Sequence, residues 1–212
     1  GNTTSGLGME VDDKSIYEVI MWRMKLADVM EETEFKNLSI AGSDVRLANA
    51  ELELVEVEKR EYRLKTAVQS VQQDFDFIFI DCPPSLGLLT INALGAADSV
   101  LIPIQCEYYA LEGVASLMNT ISRVKKTINP HLEIEGVLLT MLDGRTNLGL
   151  QVVDEVKKHF KKQVYATVIP RSVRLGEAPS HGEPIHVYDK RSAGCVAYVN
   201  LAKEVLKRNN IK

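Results

Sequence analysis

Two kinds of apolar run alternate along this chain. Phe77 to Ile80, Ser99 to Ile104, Ile134 to Met141 and Val164 to Ile169 are short, rich in aromatic or β-branched residues and little interrupted by polar ones. Such runs suit strands covered on both faces of a parallel sheet. The segments between them carry apolar residues at helical spacing. From Val45 to Gln73 these are Leu47, Leu54, Val57, Leu64, Val68 and Val71, with charged residues between, which predicts an amphipathic helix with one break. Helices are also predicted over Leu86 to Ala97, Leu111 to Thr127 (ended by Asn129-Pro130), Asn147 to His159 and Ala193 to Arg208. Nearer the start, Ile16 to Met24 and Lys25 to Met30 read as a helix and a helical turn, and Leu38 to Ser43 as a short strand with a turn. Strands alternating with helices predict βαβ crossovers: an α/β fold with a mostly parallel sheet and helices on both faces. No internal repeat or linker interrupts the pattern, so residues 1–212 read as one domain.

Composition narrows the function classes without choosing one. The chain has 212 residues, 45% of them hydrophobic and 25% charged, enough for a sizeable core. A formal net charge of −4 gives no global pull toward nucleic acid, so polyanion binding would need a local patch. No window approaches the roughly 20 apolar residues of a membrane span. Cys82, Cys106 and Cys195 are widely spaced and suit neither a disulfide framework nor a metal knuckle. A reducing cytoplasm is expected. The Gly/Thr/Ser-rich run Gly1 to Gly8 reads as a loop with an element on one side only, which raises the expectation of a missing amino-terminal segment.

Chemistry concentrates where the predicted strands end. Phe77 to Ile80 runs into Asp81, then Cys82-Pro83-Pro84-Ser85, and the two prolines force a turn. Ligands of open α/β sheets bind outside the carboxyl ends of the strands, where nucleotide-hydrolysing enzymes keep a carboxylate for the water shell of magnesium. The plainer alternative is that Asp81 caps the helix starting near Leu86. The other strands end in Pro103-Ile104-Gln105-Cys106-Glu107, Thr140 to Arg145, and Pro170-Arg171-Ser172, and a doubly wound fold would bring all four loops, that of Asp81 included, to one rim. His181, in the stiff loop Pro179 to Pro184, lacks an evident nucleophile and supporting carboxylate, so hydrogen bonding within the loop is its expected role. Arg171, Arg174, Lys190, Arg191, Lys203, Lys207, Arg208 and Lys212 make the last quarter basic, either a solvated surface or a phosphate-backbone patch. A triphosphate needs backbone N–H groups and a lysine, as in G-x-x-x-x-G-K-[ST], and no such string occurs.

The chain resembles the ParA/Soj-type chromosome- and plasmid-partitioning ATPases, a deviant Walker-A branch of the P-loop NTPases. The residues that carry the likeness are Gly1 to Gly8, Glu34 to Leu38, Ala50 to Leu54, Phe77 to Leu94, Pro103 to Gly113, Thr140 to Leu148 and Ile169 to Gly182, in the family's order. The resemblance implies ATP and Mg2+ as cofactors, ATP-dependent homodimerisation, non-specific DNA binding and stimulation by a ParB-type centromere-binding protein. It implies a cytoplasmic, nucleoid-associated protein and no membrane. By position, Asp81 looks like the Walker-B residue acting on magnesium through water, and Pro83 and Pro84 like part of the switch loop. Thr140, Asp143, Arg145, Pro170 and Arg171 look like the adenine-side walls. Arg174, Lys190, Arg191, Lys203 and Lys207 would face DNA.

One departure is large. The family's Lys-Gly-Gly-x-Gly-Lys-Thr loop, its catalytic Asp and its first, central strand are not matched, so the 212 residues alone are expected to be inactive and to lack the first βαβ unit. A MinD-like membrane-surface ATPase and a non-catalytic scaffold without a phosphate loop are the alternatives. An iron–sulfur protein is disfavoured by the residues around Cys82 and Cys106.

Overall fold

The computed structural model describes residues 2–108 and 110–211. Gly1, read above with the opening loop, and Lys212, read with the basic quarter, lie outside them. The chain divides into two compact units, residues 1–98 with 120–132, and residues 99–119 with 133–212.

The first unit is mainly helical. Its helices are α1 (Asn2–Gly6), α2 (Ile16–Ile20), α3 (Leu26–Val29), α4 (Leu47–Glu53), α5 (Arg63–Gln69) and α6 (Leu88–Ala96), with β1 (Met30–Glu32) and β2 (Ser39–Ala41). Tyr17, Val19, Ile20, Val29, Ala50, Leu54, Leu64 and Val68 form its core. The long pattern from Val45 to Gln73 is broken as expected, into α4 and α5, and both halves send residues into that core. Asn92, fully buried, answers the backbone around it: its Oδ1 accepts from Leu64 N at 3.2 Å, and its Nδ2 donates to Arg60 O at 2.8 Å and Leu88 O at 3.0 Å.

Three expectations fail in this unit. The opening run is not a loop, because Asn2–Gly6 is a helical turn. β1 is a strand where the sequence reads as the end of a helical turn, and it pairs antiparallel with β2, Met30 opposite Ala41. Thr33 stabilises the reversal: its Oγ1 donates to Leu38 O at 2.8 Å and accepts from Phe35 N at 3.1 Å, and Asn37 takes a left-handed φ of 62°. Third, Phe77 to Ile80 joins no ladder among the described residues. Phe75 and Ile80 still pack against the core, but Ile78 is 39% and Phe79 79% exposed, with Phe77 and Phe79 stacked at 5.9 Å. β propensity marks a residue that fits a pleated, half-buried surface; without a neighbouring strand it does not make one.

The second unit is an α/β layer. Its parallel sheet has the order β3 (Ser99–Gln105), β4 (Glu133–Leu142), β5 (Val164–Pro170). The helices are α7 (Ala110–Thr127, shared between the two units), α8 (Asn147–Phe160), α9 (Val173–Glu177), α10 (Ile185–Tyr188) and α11 (Ala193–Arg208). Val137, Leu138 and Leu139 are buried in the middle strand, as the unalternating run requires. Leu138, Tyr165, Ile169, Ala197 and Leu201 pack together where α11 lies on β5. Thr146 caps α8, accepting from Gly149 N at 3.3 Å, and Ser192 caps α11, accepting from Cys195 N at 3.1 Å. The stretch read as a stiff loop, Pro179 to Pro184, is a short 3-10 turn at Ala178–His181 followed by α10. The sheet thus holds three of the four expected strands.

Candidate functional site

Asp81 follows the Phe77 to Ile80 segment of the first unit, and residues 81–86 are all exposed. Its Oδ2 accepts a hydrogen bond from Thr3 Oγ1 at 2.7 Å. The amino terminus of α6 belongs to another carboxylate. Glu51 Oε1, from α4, accepts from Leu89 N at 3.1 Å, and a Cβ added at Gly87 would lie 2.3 Å from that oxygen. Gly87 therefore lets a distant acid approach and cap a helix whose own N-cap position has no side-chain acceptor. The alternative reading of Asp81 as that cap is answered by Glu51. Pro83 and Pro84 lie exposed in the turn, and Thr90 Oγ1 fastens its far side by donating to Ser85 O at 2.6 Å.

In the second unit the carboxyl ends of β3, β4 and β5 form one rim, because parallel strands all end on one side. Cys106 N donates to Thr140 O at 2.9 Å, Thr140 Oγ1 to Ile104 O at 3.3 Å, and Arg171 N to Leu142 O at 3.0 Å, so these three loops are stitched to each other. Arg171 also pairs with Glu107 across the rim. Met141 adopts φ = 54° inside the last turn of β4, a left-handed conformation costly for a side chain of this size. Strain of this kind persists where the surroundings enforce it, and here the next residues turn sharply into the Asp143 loop.

In that loop Arg145 grips Asp143 with its Nε at 2.9 Å and a guanidinium NH2 at 2.8 Å, while Arg145 N donates to the same carboxylate at 3.1 Å. These side-chain and backbone hydrogen bonds hold the Asp143 carboxyl at about 2, well below its usual range. The rim thus presents exposed cations (Arg145, Arg171), each beside an acid, and the half-buried Thr140 and Pro170. Leu142, Gly144 and Pro170 of this rim also line one side of an open groove. Burial pushes the Cys106 thiol up from its ordinary value, which disfavours the thiolate.

The basic residues sort into two kinds. Arg174 is held by Glu177 at 3.0 Å and Asp189 at 3.5 Å, next to exposed Lys190 and Arg191. Lys203 and Lys207 are exposed on successive turns of α11. Arg208, counted above with the basic quarter, is a structural residue: it stacks on Tyr165 at 3.8 Å and pairs with Glu204 at 3.0 Å. His181 stacks on Tyr188 at 5.0 Å in place of the expected loop hydrogen bonding. Glu107 and Met141 fall within loops singled out above, at Pro103 to Glu107 and Thr140 to Arg145, whereas the contacts of Thr3 and Glu51 had no signal of their own in the sequence.

No three acidic, histidine or cysteine side chains converge as a metal cage among the described residues. A magnesium ion that keeps most of its waters needs only one or two carboxylates beside phosphate oxygens, so the exposed Asp81 fits such an ion and no fuller cage is required.

A family model described as an AAA domain matches residues 1–134. The chain is 58% identical to the sporulation initiation inhibitor protein Soj of Bacillus subtilis (strain 168), over 97% of this chain and 82% of that protein. It is 50% identical to the chromosome partitioning protein ParA of Myxococcus xanthus (strain DK1622), over 100% of this chain and 76% of that one. Among solved structures, cobyrinic acid a,c-diamide synthase from Mycobacterium smegmatis, bound to an ATP analog and magnesium, superposes with a TM-score of 0.80. It is 33% identical and covers 96% of this chain and 77% of its own. An identity this high over nearly the whole sequence does not arise from shared architecture alone, and the chain belongs to the ParA/Soj family of chromosome-partitioning ATPases.

Proposed function

We propose that this protein works in DNA segregation as an ATP-driven switch: ATP and Mg2+ bring two copies together, the dimer binds DNA without sequence preference, and a ParB-type partner stimulates hydrolysis. The observation that carries the reading is the stitched rim of β3, β4 and β5, with Met141 strained into its turn, in a chain 58% identical to Soj. The adenine side is assigned to Thr140, Asp143, Arg145, Pro170 and Arg171. Asp81 would hold the magnesium's water shell, and Thr3, donating to it at 2.7 Å, keeps the carboxylate oriented. Bound magnesium would supply charge neutralisation at the phosphates. Pro83 and Pro84, exposed beside Asp81, suit a turn that senses whether a phosphate is present.

The triphosphate itself is a different matter. Its charge calls for a glycine loop with lysines, and residues 1–212 contain none. The 212-residue chain by itself is therefore proposed to be catalytically silent. Arg174, Lys190 and Arg191 around Asp189, and Lys203 with Lys207 on α11, are proposed to meet the DNA backbone. A cytoplasmic, nucleoid-bound protein follows from that role, and no helix among the described residues is long and apolar enough to cross a membrane.

The decisive experiment measures magnesium-dependent phosphate release with DNA and a ParB-type partner, using the chain placed behind a lysine-bearing glycine loop. Asp81→Ala is expected to abolish turnover with the circular dichroism spectrum unchanged; undiminished turnover removes Asp81 from the site. Neutralising Arg174 and Lys203 together is expected to weaken DNA binding and flatten its salt dependence. An unaltered salt slope means that DNA binds elsewhere.

A further inference from the structure

One edge of β5 pairs with β4, and no strand among the described residues lies on the other. The β4 side is itself irregular. Val137 pairs with Val164 and Leu139 with Val168, so four steps along β5 match two along β4. A bulge of this kind releases amides from the ladder and turns them outward. The released groups are Ala166 N and Thr167 N, two successive donors on an open edge.

Both are taken by one side chain. Glu204, on α11, accepts from Ala166 N at 2.8 Å through Oε1 and from Thr167 N at 2.9 Å through Oε2. One helical turn later, Arg208 supplies the opposite polarity. Its guanidinium donates to Val164 O at 3.0 Å and Gln163 O at 3.3 Å, and it reaches Glu135 O at 3.4 Å. The pair is joined at 3.0 Å, and the side chains are only 19% and 25% exposed. Arg208 lies flat on Tyr165, and the approach of both to β4 depends on Gly136, where an added Cβ would sit 2.5 Å from the Tyr165 ring and 2.8 Å from the guanidinium. Burial works against the Glu204 charge, yet the two amides and Arg208 hold its carboxyl below the usual range. Between them the two side chains offer β5 both acceptor and donor, which is what a neighbouring strand would offer.

An open edge with free donors is a template for another strand. The edge available to every copy of this chain is the same one, and two such edges can pair antiparallel about a twofold axis. Beside it runs an open groove of about 790 Å³, lined along β5 by Ala166, Thr167 and Val168 and along α11 by Ala193, Val196 and Ala197, which leaves this edge open to an incoming strand. We infer that Glu204 and Arg208 form an edge lock: side chains of α11 stand in for a strand along β5 and prevent a second copy from adding its own β5 there. The groove runs on to Leu142, Gly144 and Pro170, so this edge adjoins the nucleotide rim, but the lock itself is made by α11 and β5 and does not depend on the reading proposed above.

The test is sedimentation velocity over a concentration series without nucleotide, on the parent, on E204A/R208A, and on E204A/R208A/A166K. Removing the lock should lower the concentration of half-association by about tenfold or more. The added A166K change puts a positive charge at an exposed position of the strand edge and should return association toward the parent value by charge repulsion. A folded E204A/R208A that sediments as the parent at every concentration overturns the inference, as does a gain in association that A166K leaves untouched. Should E204A/R208A fail to fold, E204Q and E204Q/A166K carry the same test with the same two outcomes. E204Q keeps the volume but replaces one acceptor oxygen with a donor.

Discussion

Two segments of this protein carry comparable strand sequences and meet opposite fates. Val164–Pro170 is a strand, with one edge on β4 and the other closed by Glu204 and Arg208. Phe77 to Ile80 is more aromatic, yet it joins no ladder, with Phe79 79% exposed. The difference lies outside both segments. A backbone in extended form still needs somewhere to send its N–H and C=O groups, and only β5 is given partners on both sides. Propensity proposes a strand; the supply of partners decides it.

Amide hydrogen exchange would sharpen the contrast most. Ala166 and Thr167 are expected to exchange slowly, with opening free energies of several kcal/mol, and Phe77 to Ile80 at close to the open-chain rate. Equal protection in the two segments would erase the distinction. Next in size is a pair of truncations. Leu139→Ala, in a residue fully buried opposite β5, should cost about 2–5 kcal/mol in denaturant unfolding, while Phe79→Ala should stay within about 0.5 kcal/mol. A large cost at Phe79 would mean that the segment is buried in solution.

A smaller effect separates the two acids near α6. Glu51→Ala removes the cap at Leu89 N and should destabilise by about 0.5–2 kcal/mol, whereas Asp81→Ala, losing one exposed contact to Thr3, should barely move the unfolding midpoint. The reverse order would make Asp81 the structural acid. Smallest is the titration of the Asp143 loop. Because pairing with Arg145 lowers the folded-state value to about 2 from an ordinary 3.8, the pairing favours the folded form above that ordinary range and is lost as pH falls through about 2. Carboxyl NMR shifts should report this, and Arg145→Ala should return Asp143 toward the ordinary range.

The parts legible in the sequence share one property: their signals are local and repeated. Ser99 to Ile104, Ile134 to Met141 and Val164 to Ile169 became β3, β4 and β5 because unbroken apolar runs need cover on both faces. Helix α11 was read to the residue, since its apolar spacing ends in a basic last turn. Family membership was legible too, carried by residues such as Asp81-Cys82-Pro83-Pro84 and Ile169 to Gly182. Of the four loops expected at one rim, the three that follow β3, β4 and β5 form it, since parallel topology leaves them no other side to end on, while the loop at Asp81 follows a segment that joins no ladder.

Tertiary structure decided the rest, because each remaining feature joins groups distant along the chain. Glu51 caps a helix 38 residues away, Glu204 closes a strand edge 37 and 38 residues away, and Thr3 meets Asp81 across 78. No periodicity encodes such pairings. Nor could composition show that Arg208, one cation among several in a basic stretch, is committed to Tyr165 and to backbone carbonyls while Lys203 and Lys207 stay in water. Sequence limits what each group can bond to; the fold decides which partner lies within hydrogen-bonding reach, and the bond weakens steeply outside it.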